Sequence, residues 1–160
     1  MSKAKWTAAA ITAAACASAP FIIGWEGNKT KPYLDVGGVA TACAGVTTGI
    51  DFSKIYTEAE CKAMNTQQIE KHAREVFACV SRETSQKEQI ALISLAYNIG
   101  TGAACRSTLV RKLNAGEPYC DEYLRWNLVG GKEVRGLTNR RTAERALCVE
   151  GREHGRTQSK

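Results

Sequence analysis

Glu26, Asp35 and Thr41 stand nine and six residues apart within the segment 24–47, GWEGNKTKPYLDVGGVATACAGVT. Glycines at 24, 27, 37, 38 and 45 supply the bends that let two carboxyl groups and a hydroxyl gather around one small site. Cleaving a glycosidic bond asks for that set. One carboxylic acid protonates the leaving oxygen, and one carboxylate steadies the oxocarbenium-like transition state or activates a water. Glu26 follows the apolar run 21–25, where partial burial favours the protonated acid, whereas Asp35 lies beside Gly37 and Gly38 in a wetter setting that favours the charged form. Seen alone, Thr41 is an ordinary β-branched strand residue. Its spacing from the two carboxyl groups makes it a candidate for holding the water.

These residues need a scaffold, and the flanking pattern supplies one. Residues 33–36 and 39–43 read as two strands around Gly37-Gly38, a hairpin signal within a small β lobe spanning 32–52. A two-residue turn sets Asp35 opposite Ala40 and sends Thr41 to the other face, whereas a three-residue loop sets Asp35 opposite Thr41. A catalytic pairing therefore predicts the longer loop or a bulge. Downstream, Thr57 with Glu60 and Ser85 with Glu88 are capping boxes that open helices over about 58–79 and about 86–99. The second is apolar nearly all round, as a central buried helix is, and Gly100 is placed to end it in a left-handed cap. Shorter helices are expected at about 107–115, closed by Gly116, at 118–127 with Pro118 in the first turn, and at 139–150 before Gly151. Arg140, Arg141 and Arg145 can salt-bridge Glu144 and Glu150 or meet an acidic partner, with a solvated helical face the simplest reading, and Trp126, between Leu124 and Leu128, reads as a core residue.

The Glu, Asp and Thr spacing resembles that of the phage-type lysozymes, the endolysins that open bacterial cell walls at the end of infection. Further segments carry the likeness: TEAECK at 57–62, AYNIG at 96–100, STLVRKLNAG at 107–116, RW at 125–126, GG at 130–131 and GLTNRRTAER at 136–145. It spans roughly residues 22–151. The chain departs from the family where Val46 follows Gly45, a position that often carries His. The resemblance implies an α+β, two-lobed lysozyme-like fold, mainly α, with a small N-terminal β lobe and a larger helical C-terminal lobe. It implies Glu26 as general acid, Asp35 as the carboxylate that stabilises positive charge and orients water, and Thr41 as the hydroxyl that holds that water. Tyr97, Asn98 and Thr108 match positions that line the saccharide cleft in that family. The implied activity is hydrolysis, with inversion, of the β-1,4 link between N-acetylmuramic acid and N-acetylglucosamine in peptidoglycan. A lytic transglycosylase would manage with one acid, and a wall-binding protein without catalysis would lack a carboxylate.

Length and charge set the bounds. At 160 residues the chain holds one catalytic domain, taken as 26–151, behind an N-terminal segment 1–25 and ahead of a polar tail 152–160. A net charge of +6 favours an anionic partner. Cell-wall polymer fits, while a nucleic-acid role would need a basic surface bearing aromatics, which 135–145 does not offer. A monomer is expected.

Lys3 and Lys5 precede a run from 6 to 25 without a charged residue, rich in Ala, Thr and Ser. A helix of about 20 such residues is just long enough to cross a bilayer, although its apolarity is marginal. A cleaved signal peptide would end at Ala17-Ser18-Ala19, where Pro20 is a poor neighbour for cleavage, and a lipoprotein signal at Cys16 lacks the usual aliphatic residue. A buried amphipathic helix would show a polar face, which this run lacks. The run resembles the signal-anchor-release segments of some phage endolysins. That implies export to the host periplasm with a transient tether to the inner membrane through 6–25.

The cysteines suit an oxidising compartment. There are seven, with no CxxC pair, and the only histidines are His72 and His154, so no metal or other cofactor is expected. Joining neighbouring segments pairs Cys43 with Cys61, Cys79 with Cys105 and Cys120 with Cys148. Cys16 remains, either as a small apolar residue in an Ala-rich helix or as a redox switch. In the second role, which the resemblance permits, it attacks a disulfide involving Cys43, two residues from Thr41.

Overall fold

Alanine is the best helix former, and the Ala-rich N-terminal run folds as helix α1, Ala8–Glu26, capped by the Thr7 hydroxyl, which accepts from the Ala10 amide at 3.2 Å. This computed structural model describes residues 6–157, with side chains through Glu153; Lys3 and Lys5 lie outside the described residues. The helix continues through Pro20, whose ring removes the bond to the Cys16 carbonyl on the exposed side. One stripe, Ile11, Ala14, Ala15, Ser18 and Ile22, is buried at helical spacing against the rest of the chain. The opposite side, with Ala9, Ala13, Cys16 and Pro20, is exposed and carries no charge. At its start, Trp6 stacks on Phe77 at 4.1 Å between ring centroids and donates its indole N–H to the Val80 carbonyl at 3.1 Å. The 25/26 boundary falls inside α1, so the apolar run and Glu26 belong to one rigid element.

After α1 come β1 (Lys29–Leu34) and β2 (Ala40–Cys43), an antiparallel pair, then α2 (Glu58–Phe77) and α3 (Gln86–Ile99). Both expected capping boxes form, Thr57 with Glu60 and Ser85 with Glu88. The sequence continues as α4 (Thr101–Cys105), α5 (Thr108–Ala115), a 3₁₀ segment (Cys120–Arg125), the short hairpin β3 (Leu128–Val129) with β4 (Lys132–Glu133), and α6 (Arg135–Thr157). The larger core forms around α3, where residues 91–96 are all buried and α1, α2 and α6 pack against it. A second, smaller core of Ala42, Cys43, Val46, Tyr56 and Cys61 lies under the hairpin. Two cores in one chain give the two-lobed α+β architecture. Three disulfides tie the elements together: Cys43–Cys61 joins β2 to α2, Cys79–Cys105 joins the end of α2 to α4, and Cys120–Cys148 joins the 3₁₀ segment to α6.

Several elements differ from the expected ones, each for a physical reason. Gly100 has φ 88 and ψ 141 rather than a left-handed helical cap, because α4 starts at the next residue and the chain leaves α3 extended. The expected helix 118–127 is a six-residue 3₁₀ segment, closed by i to i+3 bonds from Glu122 to Tyr119 and from Trp126 to Tyr123, both main-chain. Helix α6 does not stop at Gly151 but runs to Thr157, through part of what reads as a polar tail. Gly151 is buried where α6 crosses the start of α3, and a Cβ there would meet Ser85 Oγ at 2.3 Å. It is a close-approach glycine inside a helix, and not a terminator. Arg140 and Arg141 are 4% and 0% exposed, so the solvated face ascribed to them is buried. Of the three, Arg145 alone reaches solvent, pairing with Asp121 at 2.6 Å.

Candidate active site

The hairpin that carries Asp35 and Thr41 turns through a three-residue loop, 36–38. The Asp35 amide donates to the Val39 carbonyl at 3.0 Å, Leu34 pairs with Ala40 and Tyr33 with Thr41. Asp35 is thus opposite Val39 and not opposite Thr41, a correction to the expected register. The shift is by two residues, however, so Asp35 and Thr41 remain on one face as diagonal neighbours. The register also slips between Lys29 and Tyr33, a bulge that accommodates Pro32, which has no amide hydrogen to donate.

The Asp35 carboxylate fixes the loop that presents it. Its Oδ1 accepts from the amides of Gly37 at 2.8 Å and Val39 at 2.9 Å, an Asx turn that leaves Oδ2 with its lone pairs available. Thr41 is 3% exposed, and its hydroxyl donates to the Val39 carbonyl at 3.0 Å. With its proton committed there, the oxygen can act toward a water only as acceptor.

Glu26 is the last residue of α1. Gly27 follows with φ 74, a conformation that L side chains rarely adopt, and turns the chain out of the helix toward β1. The Glu26 carboxylate is 23% exposed and accepts from Arg140 Nη1 at 2.5 Å. Its partner is therefore a buried guanidinium on α6, where an apolar surround was expected. Arg140 is itself held from α3, with Nη2 donating to the Ser94 carbonyl at 3.2 Å.

A chain of hydrogen bonds sets the hairpin relative to Glu26. Asn28 Oδ1 accepts from Asn65 Nδ2 at 3.3 Å, Asn65 Oδ1 accepts from the Ala44 amide at 2.9 Å, and the Ala44 carbonyl accepts from the Tyr97 hydroxyl at 2.6 Å. Four segments meet in that chain: the exit from α1, α2, the end of β2, and α3. Burial, helped by the charge of the nearby Glu26 carboxylate and opposed by Arg140, pushes the Tyr97 hydroxyl well above its ordinary pKa. It stays a donor at any working pH. Tyr97 thus anchors the hairpin to α3, with the His72 ring packed against it at 4.7 Å.

The other candidates are more dispersed. Asn98 is exposed near the end of α3. Thr108 is the exposed first residue of α5 and lines a groove of about 500 Å³ together with Arg106, Glu122 and Trp126. Cys16 is exposed and unpaired on α1. Two residues of the site escape sequence reasoning. Asn65 is a polar residue in the buried stripe of α2, four positions from Cys61 and four from Ile69, and a polar break in an otherwise apolar stripe is its signal. For Arg140 the pairing with Glu144 is legible at i, i+4, but its contact with Glu26, 114 residues away, is not.

A carboxyl group at the end of a helix, joined by two residues to a hairpin that bears a carboxylate and an acceptor hydroxyl on one face, supplies the group types for acid-assisted attack of water on an acetal. The family model for phage lysozyme matches residues 23–144 of this chain. A SAR-endolysin of Bacteriophage PS119 is 40% identical over 156 residues, covering 91% of this chain and 93% of the relative. A SAR-endolysin of Enterobacteria phage P21 is 39% identical over 159 residues, covering 93% and 96%. Among solved structures, an endolysin from Escherichia coli O157:H7 phage FAHEc1 superimposes with a TM-score of 0.75 at 28% identity, covering 84% of this chain and 91% of that one.

Proposed function

The chain belongs to the phage lysozyme family, and from that premise we propose that Glu26, Asp35 and Thr41 divide the chemistry of its active site among them. It is a phage-type lysozyme, an endolysin that hydrolyses the β-1,4 bond between N-acetylmuramic acid and N-acetylglucosamine in peptidoglycan. In the proposed mechanism Glu26, oriented by Arg140, gives its proton to the leaving glycosidic oxygen. Asp35 takes a proton from the attacking water through Oδ2 and faces the positive charge that develops on the sugar ring. Thr41, its own hydrogen turned to Val39, accepts a hydrogen bond from the water's other hydrogen, which stays on the oxygen, and so aims an oxygen lone pair at the anomeric carbon. The observation that carries this reading is the shared hairpin face of Asp35 and Thr41, fixed by the Asx turn and by the Tyr97 anchor. Attack from the face opposite the leaving group inverts the anomeric centre. Tyr97, Asn98 and Thr108 are assigned to the saccharide cleft, and the net charge of +6 helps hold an anionic wall.

Mass spectrometry of muropeptides released from purified peptidoglycan tests this reading. Reducing-end products are expected, since water is the acceptor; 1,6-anhydro products would mean a lytic transglycosylase, and wall binding without release a binding protein.

α1 is long and apolar enough to cross a membrane by length and composition. We propose that the chain reaches the host periplasm tethered to the inner membrane by residues 6–25, leaves it, and works as a monomer on peptidoglycan, with no nucleic-acid partner. A helix apolar on both sides suits both settings, because one stripe packs into the protein core while the other face tolerates lipid. Residues 1–25 and 26–151 are then roles along the chain more than separate folding units. Cys16 is proposed as a thiol that attacks the Cys43–Cys61 bond after release, bonding to Cys43 and freeing the Cys61 thiol, so that Cys43 exchanges one disulfide partner for another and is not left without one; lysis by Cys16→Ser with unchanged timing would remove that role. Membrane fractionation before and after lysis tests the tether, and a protein that is soluble throughout contradicts it.

A further inference from the structure

Charged groups are costly to bury unless they are paired and hydrogen-bonded, yet α6 buries three within five residues: Arg140, Arg141 and Glu144, at 4%, 0% and 0% exposure. The Glu144 carboxylate lies between both arginines. It meets Arg140 Nε at 3.3 Å and Arg141 Nη2 and Nε at 2.9 Å each, and Oε1 accepts from the Ser94 hydroxyl at 2.6 Å. Ser94 in turn accepts from Arg140 Nε at 3.4 Å and Nη2 at 3.2 Å. The Arg140 guanidinium is therefore gripped on one edge by Glu144 and Ser94 and presents the other edge, Nη1, to Glu26 at 2.5 Å.

We propose that Glu144 is a positioning residue for the glycosidase reaction: through Arg140 it aims Glu26, and its charge offsets that of Arg140. The inference rests on the reading of Glu26 as the acid. A general acid must carry its proton when substrate binds, and a bare guanidinium in contact favours the carboxylate instead. Two arginines against Glu144 and Glu26 make a cluster in which the second carboxylate removes part of that pull. The groups facing Glu144 are Arg140 and Arg141 on its own helix, Ser94 on α3 and Tyr123 on the 3₁₀ segment, with Glu26 beyond Arg140. Burial, against the opposing pull of Arg141, Ser94 and Arg140, raises Glu144 to about 7, so its charge is gained across the neutral range.

The test is the pH dependence of muropeptide release for wild type, Glu144→Gln and Glu144→Asp on one purified peptidoglycan, with Glu26→Gln beside them. Losing the buried charge should move the alkaline limb of Glu144→Gln to lower pH by about one unit, while Glu144→Asp returns it toward wild type. A merely structural role lowers the melting temperature and leaves the limb where it is, and that result in folded Glu144→Gln overturns the proposal. Should Glu144→Gln fail to fold with Arg141 unpaired, the double variant Arg141→Gln/Glu144→Gln removes opposite charges together, so the limb stays near wild type while kcat falls as Arg140 loses its grip, and a wild-type kcat in that folded variant overturns the proposal equally. Activity retained by Glu26→Gln instead refutes the acid assignment, a different outcome in the same experiment.

Discussion

Removing the Cys43–Cys61 bond should damage the active site before it unfolds the protein. The bond spans 18 residues, and closing a loop of that length in the unfolded chain is worth about 3 kcal/mol by the chain-entropy model. In a domain of this size that lowers the melting temperature by about 6–12 °C. A second effect is local. Cys43 has φ 54, a left-handed conformation that costs an L residue on the order of 1–2 kcal/mol and is held by β2 and by the bond to α2. In Cys43→Ala/Cys61→Ala the strain has one holder fewer, the end of β2 relaxes, and Thr41, two residues away, leaves its register with Tyr33. Activity should fall at temperatures where the fold is intact by circular dichroism, and Cys43→Gly/Cys61→Ala, which relieves the strain, should lose less of it. Thermal melts and muropeptide release on both double variants, at 25 °C and neutral pH, provide the comparison. A melting temperature within about 2 °C of wild type, or equal activity in the Ala and Gly variants, would refute the reasoning.

Gly151→Ala should destabilise by about 1–3 kcal/mol in urea titration despite the better helix propensity, because its Cβ would stand 2.3 Å from Ser85 Oγ, the cap of α3. Gly136→Ala, on the same helix with open space around the new methyl, should be neutral or stabilise by up to about 1 kcal/mol. Arg140→Met should cost about 3–5 kcal/mol and most of the activity, since it takes one of two arginines from buried Glu144 and the guanidinium partner from Glu26. The raised Glu144 binds its proton more tightly in the folded state than in the unfolded one. Its stability contribution is thus complete below about 4.5 and is lost as pH rises through about 7. Denaturation of wild type against Glu144→Gln from pH 4 to 8 should show that fall in the wild type alone.

Local chemistry was legible in the sequence where the chain's own neighbours decide the outcome. Thr57 with Glu60 and Ser85 with Glu88 cap their helices because the interaction closes within four residues. The three cysteine pairs close spans of only 18, 26 and 28 residues, so proximity in sequence stood in for proximity in space. Where a distant element decides, the same residues misled. Gly151 reads as a helix end until α3 is brought against it. Arg140 and Arg141 read as solvated until Ser94 and Glu144 surround them, and the pattern of α6 alone cannot show that its charged stripe faces α3. At the site, spacing marked Asp35 and Thr41 as neighbours, but the register was set by the Asx turn, which begins the loop one residue earlier than Gly37. Asn65 and Arg140 are the site's supports, and what they hold lies 21 and 114 residues away.

The central claim is that Glu26 supplies the proton. The most direct test is the rate of turbidity loss of outer-membrane-permeabilised Gram-negative cells with purified wild type and with Glu26→Gln, which keeps the shape and a partner for Arg140 but has no acidic proton to give. General acid catalysis contributes roughly 10²- to 10⁴-fold, so the variant should clear the cells at least about a hundred times more slowly while melting as a folded protein. Equal clearing by the two would contradict the account and move the chemistry away from Glu26.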